Sequence, residues 1–514
     1  MMKNFFWWTL FLVSCNCIDV LAQDNSVPVS SSDLPIVIID PHGHDIYDSP
    51  KTIADMGVID NGPGVRNDTA DVWNNYNGQI TIEIRGSSSQ MFPKKQYGIE
   101  LYDNGVDVSA ELLGMPAEED WILFAPYNDR SLMRDVLTYK LGRDMGRWAP
   151  RTRYCELFIK KFDPYLGKVH YYYQGIYVLI EKIKRDTNRV NIAKLNPDET
   201  TGDDVTGGYI LKIDKTTGTG GSGWASPYPP PNTHDGQYTY FQYDYPKYNE
   251  IVEAQRKYIV TYVTTFEKAL QGVNFRDKDN GYAKYIDVDS FIDFMIMQEV
   301  TRNVDGYRLS TYLHKQKDSD GGKLVMGPLW DFNLGFGNAD YCSGWKTNGW
   351  MYAEFNAECA VHWSVVPFWW NRLMQDPNYR NKLALRWQTL RAGKFSTASI
   401  HDDIDSIYTI LNKEAAPRNF QAWQTLGIYI WPNSFIGNTY EQEIDFLKTW
   451  VTNRMNWLDA NMPKYNPTPT EGEISDVSMA FYPNPIAGDI QVEYEIRKPG
   501  TINIQILDIT GRQV

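Results

Sequence analysis

The spacing of apolar positions changes along this chain. "LPIVIID" (34–40) is a short apolar run between turn residues and predicts a strand. Residues 41–77 are rich in Gly, Asp and Asn and predict loops with short strands. From 79 the pattern sharpens: "QITIEIR" alternates strictly, with Ile80, Ile82 and Ile84 on one face. "GSSSQMFP" then predicts a turn and "KKQYGIELY" a second alternating strand. A helix follows, with Asp129 as N-cap, a stripe of Leu132, Met133, Val136, Leu137 and Leu141, and Gly146 as its stop. Two strands come next, "RYCELFIKK" and "YYQGIYVLIEKI". The segment 213–248, with its Gly, Pro and Tyr clusters, reads as a long inserted loop.

Beyond it the period becomes helical. Helices are predicted near 247–270 and 287–303, the second capped by Asp287 or Asp289, and over much of 365–460. A linker (463–476) leads to "FYPNP", "DIQVEYEI" and "TINIQILDITGRQV", short strands that predict a small β-sandwich tail over 477–514. The expected fold class is α+β: one domain over 34–462, strand-rich first and helical second, and then the β tail.

Composition narrows the classes. With 514 residues, 42% of them hydrophobic, the chain can bury a large core and is not a disordered one. Its formal net charge of −14 argues against nucleic acid as a partner, because phosphate backbones need a basic face. Seventeen Trp and 34 Tyr suit packed cores, and they leave room for a surface that stacks on sugars. The first residues read as an export signal. Lys3 precedes the apolar "FFWWTLFLV", and "VLA" (20–22) suits cleavage after Ala22, giving a 1–22 signal peptide. The alternative is a lipoprotein box, "LVSC", with Cys15 acylated. No later segment is apolar enough to cross a bilayer. Of the three cysteines beyond Ala22, Cys342 and Cys359 flank one loop and form the expected disulfide; Cys155 lies in a strand pattern as a buried thiol. None has zinc-site spacing. His42 and His44 sit in a Gly- and Asp-rich stretch that reads as a surface turn.

The chemistry concentrates in two carboxylates. Asp305 lies just past a predicted helix, before the strand "LSTYLHK"; a hairpin through "DSDGG" returns as "KLVMGPLW", and Asp331 stands at its end. The chain goes out and comes back, so the pair, 26 residues apart, share one end of a hairpin. One Asp that orients an acceptor hydroxyl and another that holds Mg²⁺ on phosphates is what phosphoryl transfer needs. Each is also an ordinary turn former. Strand parity puts Lys95 with Tyr97, Ile99 and Leu101, where its charge wants an anion, a phosphate or a carboxylate. Arg85 ends the preceding strand, and the turn containing Ser88 offers backbone N–H groups to phosphate oxygens. Glu181, Lys182 and Ile183 end a strand beside a basic cluster. They read either as a hinge for adenine or as a solvated charged face.

"RGSSSQMFPKKQYGIEL", "NDRSLMRDVL", "GIYVLIEKI", "NVDGYRLSTYLHK" and "GPLWDFNLGFGN", in this order over about 34–460, resemble the CotH-type (spore coat protein H) atypical protein kinases. The resemblance implies a kinase-like fold with a strand-rich N-lobe and a helical C-lobe, use of ATP with Mg²⁺ or Mn²⁺, and transfer to Ser or Thr of a secreted or surface protein. It implies Asp305 as the catalytic aspartate and Asp331 with Asn333 as metal ligands. Arg85, Ser88, Lys95, Glu181, Lys182 and Ile183 would bind nucleotide. Three positions depart from the pattern: Ser310 where kinases carry a metal-binding Asn, Asn333 where many relatives carry a second acid, and no helix glutamate to pair with Lys95, Asp135 being the nearest. Asn333 or Asn338 can compensate, since an amide oxygen ligates Mg²⁺. The tail resembles a type IX secretion sorting domain ending at Val514, short of its usual last strand. It implies that secretion machinery as a partner and a secreted or cell-surface location. The same departures also suit a non-catalytic surface adhesin or scaffold, and the aromatic surplus a glycan binder.

Overall fold

A computed structural model describes residues 27–466, apart from 165–166, 217–222, 232–235 and 360–363, together with the backbone of 477–482 and 491–496. The signal peptide with Ala22 and Cys15, most of the linker and most of the tail lie outside the described residues. In the tail, Val477–Tyr482 and Gln491–Ile496 form one antiparallel pair.

Seven strands close into a barrel: β1 (Ile36–Asp40), β2 (Thr52–Ile59), β3 (Tyr76–Arg85), β4 (Gln96–Asp103), β5 (Asp120–Phe124), β6 (Thr152–Asp163) and β7 (Lys168–Glu181). Their order is β5-β7-β6-β1-β2-β3-β4, and β4 pairs back onto β5 to shut the ring. Only β1 and β6 run parallel. The alternation of β3 does what its sequence predicts. Ile80 and Ile82 point inward with Ile99, Leu101, Trp121, Leu123, Leu157, Tyr177 and Leu179 to fill the barrel. Cys155 joins them as a free thiol, and burial pushes it up to about 12.

Strand β5 and the second half of β7 (175–181) are buried on both faces. Their outward residues Ile122, Phe124, Val178 and Ile180 pack into the main core, on Leu132, Met133, Leu137 and Leu141 of the segment around helix α1 (Arg134–Asp144). "WILF" and "IYVLI" therefore read as continuous apolar runs. Helix α1 begins later than expected. Asp129 caps the preceding turn instead, accepting from the N–H groups of Ser131 and Arg134.

A second sheet has the order β9-β10-β8-β11-β12, all antiparallel: β8 (Tyr209–Ile213), β9 (Gly223–Ala225), β10 (Tyr240–Tyr245), β11 (Thr311–Lys315) and β12 (Leu324–Met326). Here the loop expected over 213–248 is corrected: it carries two strands, and "YFQYDY" pairs along β8. The described residues also hold helices α2 (Glu253–Gln271), α3 (Val288–Thr301), α4 (Met351–Glu358), α5 (Trp369–Leu373), α6 (Pro377–Arg391), α7 (Thr397–Leu411), α8 (Ala415–Ala422) and α9 (Tyr440–Asn461). Asp287 caps α3 by accepting from Ser290 N–H at 2.6 Å. Cys342 and Cys359 are disulfide-bonded, as expected. His42 sits in an exposed turn beside Asp55. No helix among the described residues is long and apolar enough to cross a membrane.

Helix α8 returns from late in the chain to lie on β7. The Asn419 amide oxygen accepts from Ile176 N–H and from Lys94 Nζ, which also donates to the Ile176 carbonyl. Lys94 is fully buried, and desolvation holds it down at about 7. Gly175, at φ +89°, makes this approach possible: a Cβ there would stand 2.5 Å from the Asn419 oxygen. Nearby, Arg418 pairs with the buried Glu156 at 2.5 Å.

Candidate active site

The 311–326 hairpin pairs Leu313 with Met326, so the two loops leaving its open end meet. Asp305 and Asp331 line one cavity of about 310 Å³, walled by the end of β3, the outer face of β5, the start of α1 and the end of β8. This volume is in the range of small-molecule sites. Arg85, Ile122, Lys212, Tyr312 and Trp330 also line an adjoining cavity of about 350 Å³, where Lys182 and Ile183 lie.

Asp331 takes a left-handed backbone, φ +63°, uncommon for a residue with a side chain. The strained turn is held on both sides. Its N–H donates to the Tyr139 hydroxyl at 3.1 Å, and its carbonyl accepts from Asn303 at 2.9 Å. Burial first, and then the Asp305 carboxylate, push Asp331 up to about 6, against the pull of Arg85. The Asp305 carboxylate is oriented by the buried Arg308, which donates at 2.9 Å. Ser310, also left-handed, places its hydroxyl 3.5 Å from Asp331.

Arg85 lies over the Trp330 ring at 5.9 Å and donates to Gln96; among the described residues no carboxylate pairs with it. The turn after it carries Ser88 into the cavity wall, and Gly86 takes φ +104° there. Asn333 lines the cavity too, its amide N–H donating to Asn128 at 3.0 Å. Asn338 does not: it is buried and clamps Asn128, the Asn333 carbonyl and Asn433.

Two expected residues stand elsewhere. Lys95 precedes β4, and its ammonium donates to the carbonyls of Gln90 and Phe92, closing its own turn. Glu181 is buried against Arg151, which grips it through the guanidinium and the backbone N–H. Asp214 and Lys215 fall where the sequence predicts a loop, and Lys212 just before it; all three lie at the end of β8 and line the cavity with Asp135. Burial raises Asp214, with Lys212 opposing.

Four carboxyl groups therefore share this cavity with three cations. Its ligating atoms are carboxylate, amide and hydroxyl oxygens, with no His or Cys among the described lining residues. Such a donor set fits a hard divalent cation, Mg²⁺ or Mn²⁺, and not zinc. One oxygen in particular, Asp135 Oδ2, is buried and without a hydrogen-bond partner.

A second acidic group lies on the barrel rim. Glu118, Glu119 and Asp120 bring carboxylate oxygens within 4.8 Å of one another. The Lys184 ammonium already sits among them, donating to Asp120 at 2.7 Å, to Glu118 at 3.1 Å and to Glu119, while Lys182 and Arg189 add further pairs.

No curated protein matches the chain. Residues 480–514 match the secretion system C-terminal sorting domain, which indicates a secreted or cell-surface protein. Residues 82–458 match the family described as CotH kinase protein, a span that begins inside β3 and takes in every wall of the cavity just described. The sequence motifs, the paired aspartates and this match agree: the chain belongs to the CotH kinase protein family.

Proposed function

We propose that this protein is a secreted or surface protein kinase that transfers the γ-phosphoryl group of ATP to a serine or threonine hydroxyl of a protein substrate. The observation that carries the reading is the convergence of Asp305 and Asp331 in one cavity that also presents Arg85, Lys212 and Lys215. Asp305, fixed by Arg308, accepts the proton of the acceptor hydroxyl. The acceptor oxygen bonds to the γ-phosphorus as the bond to the β–γ bridging oxygen breaks, leaving ADP. Arg85 and the backbone N–H groups around Ser88 receive the phosphate oxygens. Asp331 and Asn333 hold Mg²⁺ or Mn²⁺, which supplies charge neutralisation on the phosphates. The adjoining cavity beside Lys182 and Ile183 receives the base. The test is incorporation of label from γ-labelled ATP into a generic acceptor with Mg²⁺ or Mn²⁺, beside Asp331→Ala; equal incorporation by the variant would overturn the reading.

A second reading, a non-catalytic adhesin or scaffold on the same fold, is favoured by Lys95, which faces its own turn and not the cavity. Thermal melting separates the two. A ligand that binds only the folded state raises the melting temperature, so no shift with millimolar ATP and Mn²⁺ favours the scaffold.

A further inference from the structure

We propose that Asp135 is a direct ligand of the divalent cation, delivering from the first turn of α1 the second carboxylate that Asn333 does not supply. The inference rests on the phosphotransfer reading above for the presence of a cation.

The argument starts from what Asp135 lacks. Its side chain is 3% exposed, so water does not solvate it. Among the described residues no Lys or Arg pairs with it. One oxygen, Oδ1, accepts from Phe332 N–H at 2.6 Å. The other, Oδ2, has no hydrogen-bond partner, although the Tyr139 hydroxyl lies beside the carboxyl group. A buried carboxylate in that state is unfavourable, and a neighbouring one makes it worse; of the charges acting on it, Asp331 acts most strongly. Placement in the first turn of a helix helps too little to offset this. A proton would remove the charge, with the Tyr139 hydroxyl as the polar side chain beside this carboxyl, but it would leave the repelled pair without a shared counter-charge.

A cation resolves both defects at once. Asp135 lines the same cavity as Asp331 and Asn333. Its bonded oxygen is tied to Phe332, the residue directly after Asp331, so the two carboxylates are held as one unit. Tyr139, one turn along α1, anchors Asp331 N–H from the same helix. Helix α1 therefore sets the backbone of the metal loop and leaves one oxygen free to ligate.

The test uses the whole exported chain, with Mn²⁺ titrated calorimetrically in the presence of a non-hydrolysable ATP analogue. A second measurement counts waters on bound Tb³⁺ from its luminescence lifetimes in H₂O and D₂O. Asp135→Asn keeps shape and removes charge; its melting temperature without metal should equal or exceed the parent's. Its Mn²⁺ affinity should fall at least about tenfold and the bound ion should gain about one water. Asp135→Ser, which keeps a group able to accept from Phe332 N–H, should behave alike and stands in if the first variant does not fold. Affinity within about twofold of the parent and unchanged hydration would overturn the assignment of Asp135 alone. A parent that binds no Mn²⁺ even with the analogue would overturn it together with the kinase reading.

Discussion

Two acidic clusters lie among the described residues, and they differ in what faces them. On the barrel rim, Glu118, Glu119 and Asp120 are the tighter group by distance, yet Lys184 occupies their centre and Lys182 and Arg189 close the flanks. In the cleft, Asp135, Asp214, Asp305 and Asp331 are more dispersed, and Asp135 keeps an oxygen that nothing satisfies. The rim is electrostatically finished; the cleft is not. Density of carboxylates does not by itself leave an oxygen free to ligate, whereas an unsatisfied buried acceptor asks for a partner.

The contrast can be broken from either side. The largest effect belongs to Asp331→Ala, for which labelled-ATP incorporation should drop by about 10³-fold or more. Its melting temperature without metal should hold or rise, because a repelled carboxyl leaves. Asp305→Asn should lower kcat by about 10²-fold with the KM for ATP little changed, as measured in the same assay. On the rim the outcomes reverse. Lys184→Met leaves the acidic group without its central cation and should cost about 2–3 kcal/mol in urea unfolding. The rim also sets an acid limit. Burial raises Asp120, but Lys182 and Lys184 outweigh it and hold the carboxyl down at about 2. A depressed folded-state value gives stability that is fully present above the unfolded value near 4 and lost as pH falls from there to about 2. The loss should be on the order of 2 kcal/mol by chemical denaturation, and Asp120→Asn should flatten that part of the profile. Glu119→Gln should leave Mn²⁺ binding unchanged in calorimetry, because its carboxylate already serves an ammonium.

Much of this was legible along the chain, for reasons that differ by element. The face of β3 followed from Ile80 and Ile82, since one-sided burial imposes period two. Strand β5 was invisible to the same rule, because "DWILF" is covered on both faces and does not alternate. Without β5, closure of the sheet into a barrel could not be inferred. Strand β10 was hidden among the Tyr, Pro and Gly residues of its surroundings. The Asp305–Asp331 pairing was readable because a hairpin returns its ends to one place. The role of Lys95 was not: parity holds only within a strand, and β4 starts one residue later, at Gln96. Glu181 ended a strand beside a basic cluster as expected, but its neutralising partner is Arg151, thirty residues earlier, and no local pattern announces that. Asp135 was singled out as the nearest candidate partner for a lysine; the charge that acts on it most strongly is another carboxylate.

The hold of α8 on β7 bears on the order of assembly. The amine of Lys94 takes one acceptor from within the barrel and the other from an amide 325 residues downstream, so the barrel's set of buried hydrogen bonds is complete only once residue 419 is in place. For a chain marked for export, the first half stays incomplete until almost the whole of the domain has arrived, and completion of its earliest-made part is timed by one of its latest.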